Sequence, residues 1–397
     1  MTPRPERLLA LDVFRGMTVA GMLLVNNPGT WSAIYPPLEH AKWHGWTPTD
    51  LIFPFFLFIV GVTTELSLRA RRARGDDEGR IVRQILRRGT IIVLLGLLLN
   101  AFPFFTWTPI ADNPDPSFID RVLHRIDNLR LTGVLQRIGI AYLASALITL
   151  RTSLRTQLIV LAVLLVGYWA LMTLVSVPDS GIQGRFLLDQ PSRQLSAWID
   201  RLVLGTKHLW VGSRTWDPEG LLSTVPAIGS CMLGSFAGRW IAKDARPLSE
   251  RLSALFAVGA LVMMLGLVWN WSFPINKSIW TSSYVLFTGG MAAVVLGTCM
   301  WIIDVQRVRR WTEPFVVYGV NPMLAFVGSG MMARLTVSVL TIERDGRRTS
   351  VQQAVYEEAY RSWLPAHAAS FAYALSFVLV WYLILRILWK RGIVFKV

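Results

Sequence analysis

Ten blocks of roughly twenty mostly apolar residues recur along this chain, and no other feature restricts its fold as much. A helix rising about 1.5 Å per residue needs about twenty residues to cross a hydrocarbon layer of about 30 Å. The blocks fall at 8–26, 50–69, 84–105, 131–150, 156–176, 220–242, 252–270, 280–303, 314–334 and 367–388. Only 16% of the 397 residues are charged, against about 25% in soluble domains. The chain therefore reads as all-α: a polytopic transmembrane helix bundle of about ten spans, forming a single membrane domain over residues 1–397. Helical blocks rather than alternating strands favour an inner membrane over an outer-membrane barrel.

The formal net charge of +15 would suit nucleic acid, but basic residues in membrane proteins collect on the cytoplasmic face. The expected partner is thus a lipid bilayer, with no nucleic acid. With the N-terminus inside, 23 of the 40 Lys and Arg residues fall at the termini and in short segments near 69–88, 151–155, 239–251 and 305–310. That bias puts both termini in the cytoplasm. The densest basic run, RARRARG at 69–75, marks the inner end of the second span. Arg4 and Arg7 precede a run that contains Asp12 and Arg15 and lacks a small-residue cleavage site, so no cleavable leader is expected. Cys231 and Cys299 lie inside apolar blocks and read as core thiols. No internal repeat of the kind that marks many transporters is visible.

Longer loops, near 27–47, 106–130, 177–219 and 335–366, occupy the opposite face and carry most of the polar chemistry. All five histidines (40, 44, 124, 208 and 367) fall there or at the adjoining helix ends. The stretch His40–Gly61, HAKWHGWTPTDLIFPFFLFIVG, runs from a polar cluster straight into a span. It puts side chains that titrate near neutral pH at a membrane face. Asp50 suits two roles: an N-terminal cap of that span, or a carboxylate that holds one imidazole nitrogen and leaves the other free as a base. His40 and His44 are four apart, but no third ligand has zinc-like spacing, so no metal is expected.

Ionisable groups inside a bilayer are costly and usually paired or functional. Asp12 and Arg15 share one helix face; they read as an internal ion pair, or Arg15 faces an anionic ligand. Gln136 and Arg137 end the fourth span on the outer side, where the guanidinium can snorkel or fork onto a carboxylate or phosphate. Asn26 is a helix-end cap or an amide that donates to an acyl carbonyl. Asn276, Lys277 and Trp280 lie at the outer mouth of the eighth span, where Trp280 fits an interfacial belt. Asp217 and Glu219 precede the sixth span, as helix-capping acids would. Asn321 precedes Pro322, which breaks the backbone ladder at membrane depth.

Several motifs, in order, resemble the transmembrane acyltransferases typified by lysosomal heparan-α-glucosaminide N-acetyltransferase and its bacterial relatives. They are RLLALDVFRG at 7–16, MLLVNNPG, the His40–Gly61 stretch, GVLQRIGIAY, DPEGLLSTVPAIGS, INKSIWTSSYVL and GVNPMLAF at 319–326. The resemblance covers nearly the whole chain. It implies transfer of an acetyl group from cytoplasmic acetyl-CoA to the amine of a glucosamine residue across the membrane. The pattern HxxWxGxTxxDLxFPxFxFxxG places the catalytic histidine at His40, and the VN motif places Asn26 near the acetyl group. His44 stands where the lysosomal enzyme has asparagine, so no role carries over to it. The large lumenal segment of that enzyme has no counterpart in this sequence, and a free amino sugar or short glycan fragment fits a bacterial acceptor.

The resemblance thus implies His40 as general base, or as transient acetyl carrier, with Asp50 orienting it and Asn26 stabilising an oxyanion. Acetyl-CoA, the co-substrate, would meet Arg15, Arg137, Gln136, Lys277, Asn276 and Asn321. The amino-sugar or glycan acceptor would meet Trp43, Asp217, Glu219 and Trp280. A homodimer is compatible with this reading. Two alternatives stay open on sequence alone: a secondary transporter for N-acetylglucosamine, and an O-acetyltransferase acting on a cell-envelope glycan.

Overall fold

A computed structural model describes residues 9–395 apart from 112, 244, 245 and 345. Arg4 and Arg7, and the start of the first expected span, lie outside the described residues. In chain order the long helices are α1 (Leu9–Asn26), α2 (Pro48–Ala73), α3 (Glu78–Ala101), α4 (Phe118–Asp127), α5 (Val134–Arg151), α6 (Leu154–Leu174) and α7 (Leu195–Leu204). They continue with α8 (Leu221–Ile241), α9 (Leu248–Trp269), α10 (Ser282–Met300), α11 (Glu313–Val320), α12 (Pro322–Arg334), a short α13 (Val351–Tyr356) and α14 (Ala366–Lys390). An antiparallel hairpin, β1 (Thr341–Arg344) and β2 (Arg347–Ser350), pairs Thr341 with Ser350.

Nine helices among the described residues are long and apolar enough to cross a membrane. The block expected at 84–105 is α3, whose first half carries Arg80, Arg83, Arg87 and Arg88 and so lacks a full apolar span. The block at 314–334 is two helices, broken where the sequence places Asn321 and Pro322. The loops hold structure that periodicity did not announce: α4, α7, the β hairpin and α13.

The spans sort into two layers. α1, α2, α5, α8 and α10 are mostly buried by protein, while α6, α9, α12 and α14 turn most of their surface outward. A helix covered by apolar neighbours or by lipid needs no polar face, and its backbone is satisfied internally. Close approach holds the inner layer together. A Cβ on Gly61 of α2 would lie 1.9 Å from the Cys231 carbonyl of α8, and one on Gly234 would lie 1.9 Å from the Phe58 carbonyl. Small residues let these backbones touch, as in membrane helix pairs generally. Just past α2 lies Gly75, whose φ of +74° suits the left-handed turn after a helix. The result is a rigid α2 with Asp50 at one end and the Arg-rich run at the other.

Candidate active site

The chemistry that starts α2 also builds the polar corner beside it. Thr47 and Pro48 open the helix, and Asp50 turns back to accept the Thr47 backbone N–H at 3.1 Å and its hydroxyl at 3.2 Å. The same carboxylate accepts the Ala41 N–H at 2.9 Å and faces His40 Nδ1 at 2.6 Å. Asp50 thus performs both roles that the sequence offered, cap and histidine holder. It is buried, whereas the His40 side chain is 45% exposed. A carboxylate at Nδ1 assigns the proton to that nitrogen and the lone pair to Nε2.

Lys277 reaches this corner from the loop before α10. Its Nζ lies 3.0 Å from His40 Nδ1, 3.2 Å from Nε2 and 3.6 Å from Asp50 Oδ1. Burial pulls the Lys277 ammonium below its ordinary pKa, and the charges of Asp50 and Glu219 oppose that shift only in part. The 40–47 loop is pinned from several sides. His44 Nε2 faces Asp189 at 2.8 Å and its Nδ1 faces Asn276 Nδ2 at 3.3 Å. Trp43 donates to the Leu188 carbonyl at 2.8 Å and stands edge-on to Trp216.

Behind the corner lie two arginines with opposite circumstances. Arg130 donates to Asp217 through Nε at 2.8 Å and through Nη2 at 2.5 Å, and to Glu219 at 2.5 Å. Burial would raise the Asp217 carboxyl, but the hydrogen bonds and charge of Arg130 outweigh it and hold the group below its ordinary range. Arg137 is fully buried on α5, donating from Nη2 to Ser223 at 2.5 Å and to the Gly220 carbonyl at 3.4 Å. Among the described residues its Nε and Nη1 have no hydrogen-bond partner. The guanidinium sits over the Trp280 ring, 5.0 Å from its centroid.

A cavity of about 550 Å³ opens on this region, with Asn26, Asn100, Arg130, Gln136, Trp210 and Arg334 in its lining. Gln136 is buried there and its Nε2 has no hydrogen-bond partner among the described residues. Asn26 and Trp31 also line a neighbouring cavity of about 420 Å³.

The family model for heparan-alpha-glucosaminide N-acetyltransferase, catalytic, matches residues 7–275. The chain belongs to that family. Similar relatives include heparan-alpha-glucosaminide N-acetyltransferase from Homo sapiens, 28% identical over 369 residues, and from Mus musculus, 28% identical over 368 residues. These alignments cover 82% and 81% of this chain and 53% of each relative. The chain therefore spans about half the length of the curated relatives it matches.

The region matched to the heparan-alpha-glucosaminide N-acetyltransferase family contains Asn26, His40, Asp50, Gln136, Arg137, Asp217 and Glu219, while Asn276, Lys277, Trp280 and Asn321 follow it. Of the residues singled out from sequence, His40, Asp50 and Lys277 meet directly. Asn26 belongs with Gln136 and Arg130 around the cavity, and no hydrogen bond joins it to His40 among the described residues. Trp280 is not an interfacial belt residue: it is fully buried, donates to Ser230 and stacks edge-on to Phe53 and Tyr284. Its φ of +49° is a conformation that costs a non-glycine residue on the order of 1 kcal/mol or more. Neither Asp217 nor Glu219 caps α8. That cap is Asp200, which accepts the Leu221 N–H at 2.8 Å, and burial with the nearby charge of Asp217 pushes its carboxyl up to about 7.

Three other residues singled out from sequence make internal ties. Arg15 pairs with Asp12 at 3.3 Å and donates to the Gly319 carbonyl, joining α1 to α11. Asn321 donates to the Ile393 carbonyl and accepts the Phe395 N–H, so it fastens the C-terminal segment. Trp43 is an anchor between loops. Sequence reasoning missed Arg130, Asn100 and Arg334 in the cavity wall, because none has a local pattern that separates it from an ordinary loop or helix-end residue.

Proposed function

We propose that this protein is a membrane acetyltransferase that moves the acetyl group of cytoplasmic acetyl-CoA to the amine of a glucosamine-type sugar on the outer side. The observation that carries the reading is the His40–Asp50 pair, held at 2.6 Å at the start of α2 within the region shared with the family. Acetyl-CoA supplies an activated acyl thioester. The unpartnered donors of Arg137 and Gln136 fit its carbonyl and phosphate oxygens, because buried donors without partners are otherwise costly.

An ammonium cannot attack a thioester, so the acceptor must first lose a proton. His40 Nε2 takes it as general base, a role suited to imidazole, and Asp50 stabilises the ring as it becomes cationic. His40 passes that first proton to solvent; as the new C–N bond forms and the C–S bond breaks, it takes the second proton from the attacking nitrogen and gives it to the departing sulfur. Lys277 and Asn26 supply donors for the oxygen that carries negative charge in the transition state, a contribution of about 3 kcal/mol for one well-placed donor. The reading puts both termini in the cytoplasm of a bacterial inner membrane. The Arg-rich end of α2 supports that orientation, lying opposite the Asp50 end.

Proteoliposomes with acetyl-CoA on one face and glucosamine on the other test this. N-acetylglucosamine should form in the glucosamine compartment. CoA-independent movement of N-acetylglucosamine, or no product with both substrates on both faces, would end the reading.

A further inference from the structure

A second cavity, of about 470 Å³, lies at the other end of the molecule, between α2, α3 and α5. Arg71 on α2 and Arg87 and Arg88 on α3 line it, over an apolar floor that includes Leu68, Ile85 and Ile91. Arg88 is stacked over the ring of Tyr142 on α5, 5.0 Å from its centroid, which holds the planar fork in one orientation. About 21 residues of helix separate Arg71 from Asp50, or about 30 Å at 1.5 Å per residue. The basic cavity therefore sits about one hydrocarbon thickness from the His40 corner.

Among the described residues no ion pair to Arg71, Arg87 or Arg88 answers the charge in this cavity. Four carboxylates occur along residues 60–90, and each is engaged elsewhere. Glu65 pairs with Arg239 of α8 at 3.2 Å, Asp76 with Arg74 at 3.4 Å and Glu78 with Arg151 at 3.2 Å, while Asp77 caps α3 by accepting the Arg80 N–H at 3.0 Å. Among the described residues no carboxylate lines the cavity. Three guanidiniums line one space, Arg71 partly buried and Arg87 and Arg88 open to solvent, and tetrahedral oxyanions match the guanidinium fork.

We infer that this cavity binds a phosphate group, held by Arg71, Arg87 and Arg88 on the face of the membrane opposite His40. The inference does not rest on acetyl transfer. The phosphate has two possible sources, an anionic lipid headgroup whose chains follow the apolar floor or a soluble phosphate, and two probes separate them.

The full-length protein, purified in neutral detergent, is tested against phosphatidylglycerol, with phosphatidylcholine as reference, by native mass spectrometry. It is tested against inorganic pyrophosphate by thermal shift. The double variant Arg87→Gln/Arg88→Gln is compared with Arg80→Gln/Arg83→Gln, which removes the same charge from exposed residues outside the cavity. At least one probe should bind wild type, weaken about tenfold in the first variant and change less than about twofold in the second. Phosphatidylglycerol alone would name the headgroup, and pyrophosphate alone a soluble phosphate. Binding of neither probe to wild type, or equal weakening in both variants, would overturn the inference.

Discussion

Around Asp50 every oxygen of the carboxylate is engaged, by His40, Ala41 and Thr47, with Lys277 nearby. Around Arg137, on the neighbouring α5, two guanidinium nitrogens have no hydrogen-bond partner among the described residues. The first region is preorganised: its donors and acceptors are fixed before any substrate arrives, which is how an electrostatic site avoids reorganisation at the moment of reaction. The second is unfinished, since a buried unmet donor costs on the order of 1–3 kcal/mol. Arg130, one loop earlier, is answered instead: it donates to Asp217 and Glu219. The contrast separates a corner whose groups are already paired from a buried guanidinium with donors left over among the described residues.

The sharpest way to break this contrast is at Asp50. Asp50→Asn should lower turnover about 10²-fold or more, because the ring loses its orienting carboxylate. Acetyl-CoA binding should be nearly unchanged, and loss of turnover and binding together would make Asp50 a folding residue only. Next in size, Arg130→Met should destabilise the protein by about 3 kcal/mol, because two acids are left without their cation. A melting temperature in detergent equal to wild type would contradict the structural role given to Arg130. Arg137→Met should do the reverse, weakening acetyl-CoA binding about tenfold while leaving thermal stability equal or higher, since an uncompensated buried donor set is removed. A large drop in melting temperature with unchanged binding would move Arg137 into the structural class.

A pH-dependent comparison concerns Asp200, whose carboxyl rises from an ordinary 3.8 to about 7. The folded protein holds this proton while the unfolded chain releases it, so stability falls as pH rises from about 4 to about 7 and levels above. The slope is at most about 1.4 kcal/mol per pH unit. Asp200→Asn keeps an acceptor for the Leu221 N–H and removes the titration. Melting temperature against pH should therefore be flatter in the variant than in wild type across that window, and parallel curves would refute the buried protonation.

Much of this was legible from residue order alone. Apolar block length announced the spans, Asn321–Pro322 announced the break between α11 and α12, and the His40–Asp50 spacing put both groups at one helix start. Local signals carried those features: hydropathy, a backbone breaker and a capping pattern. The pairings that define the two regions were not local. Lys277 meets His40 across 237 residues, and Arg130 meets Asp217 across 87. Such meetings depend on how helices cross, which glycine contacts such as Gly61 against Cys231 decide. Trp280 misled for a related reason: a tryptophan at a span mouth has the composition of a membrane belt, and only packing places it under Arg137.

The most direct test of the central claim is acetyl-CoA turnover by purified protein with glucosamine, wild type beside His40→Ala, with acetyl-CoA binding measured on both. The account predicts that turnover falls by about 10²-fold or more while binding persists. Equal turnover in the two proteins would contradict it and reduce His40 to a residue that shapes the loop.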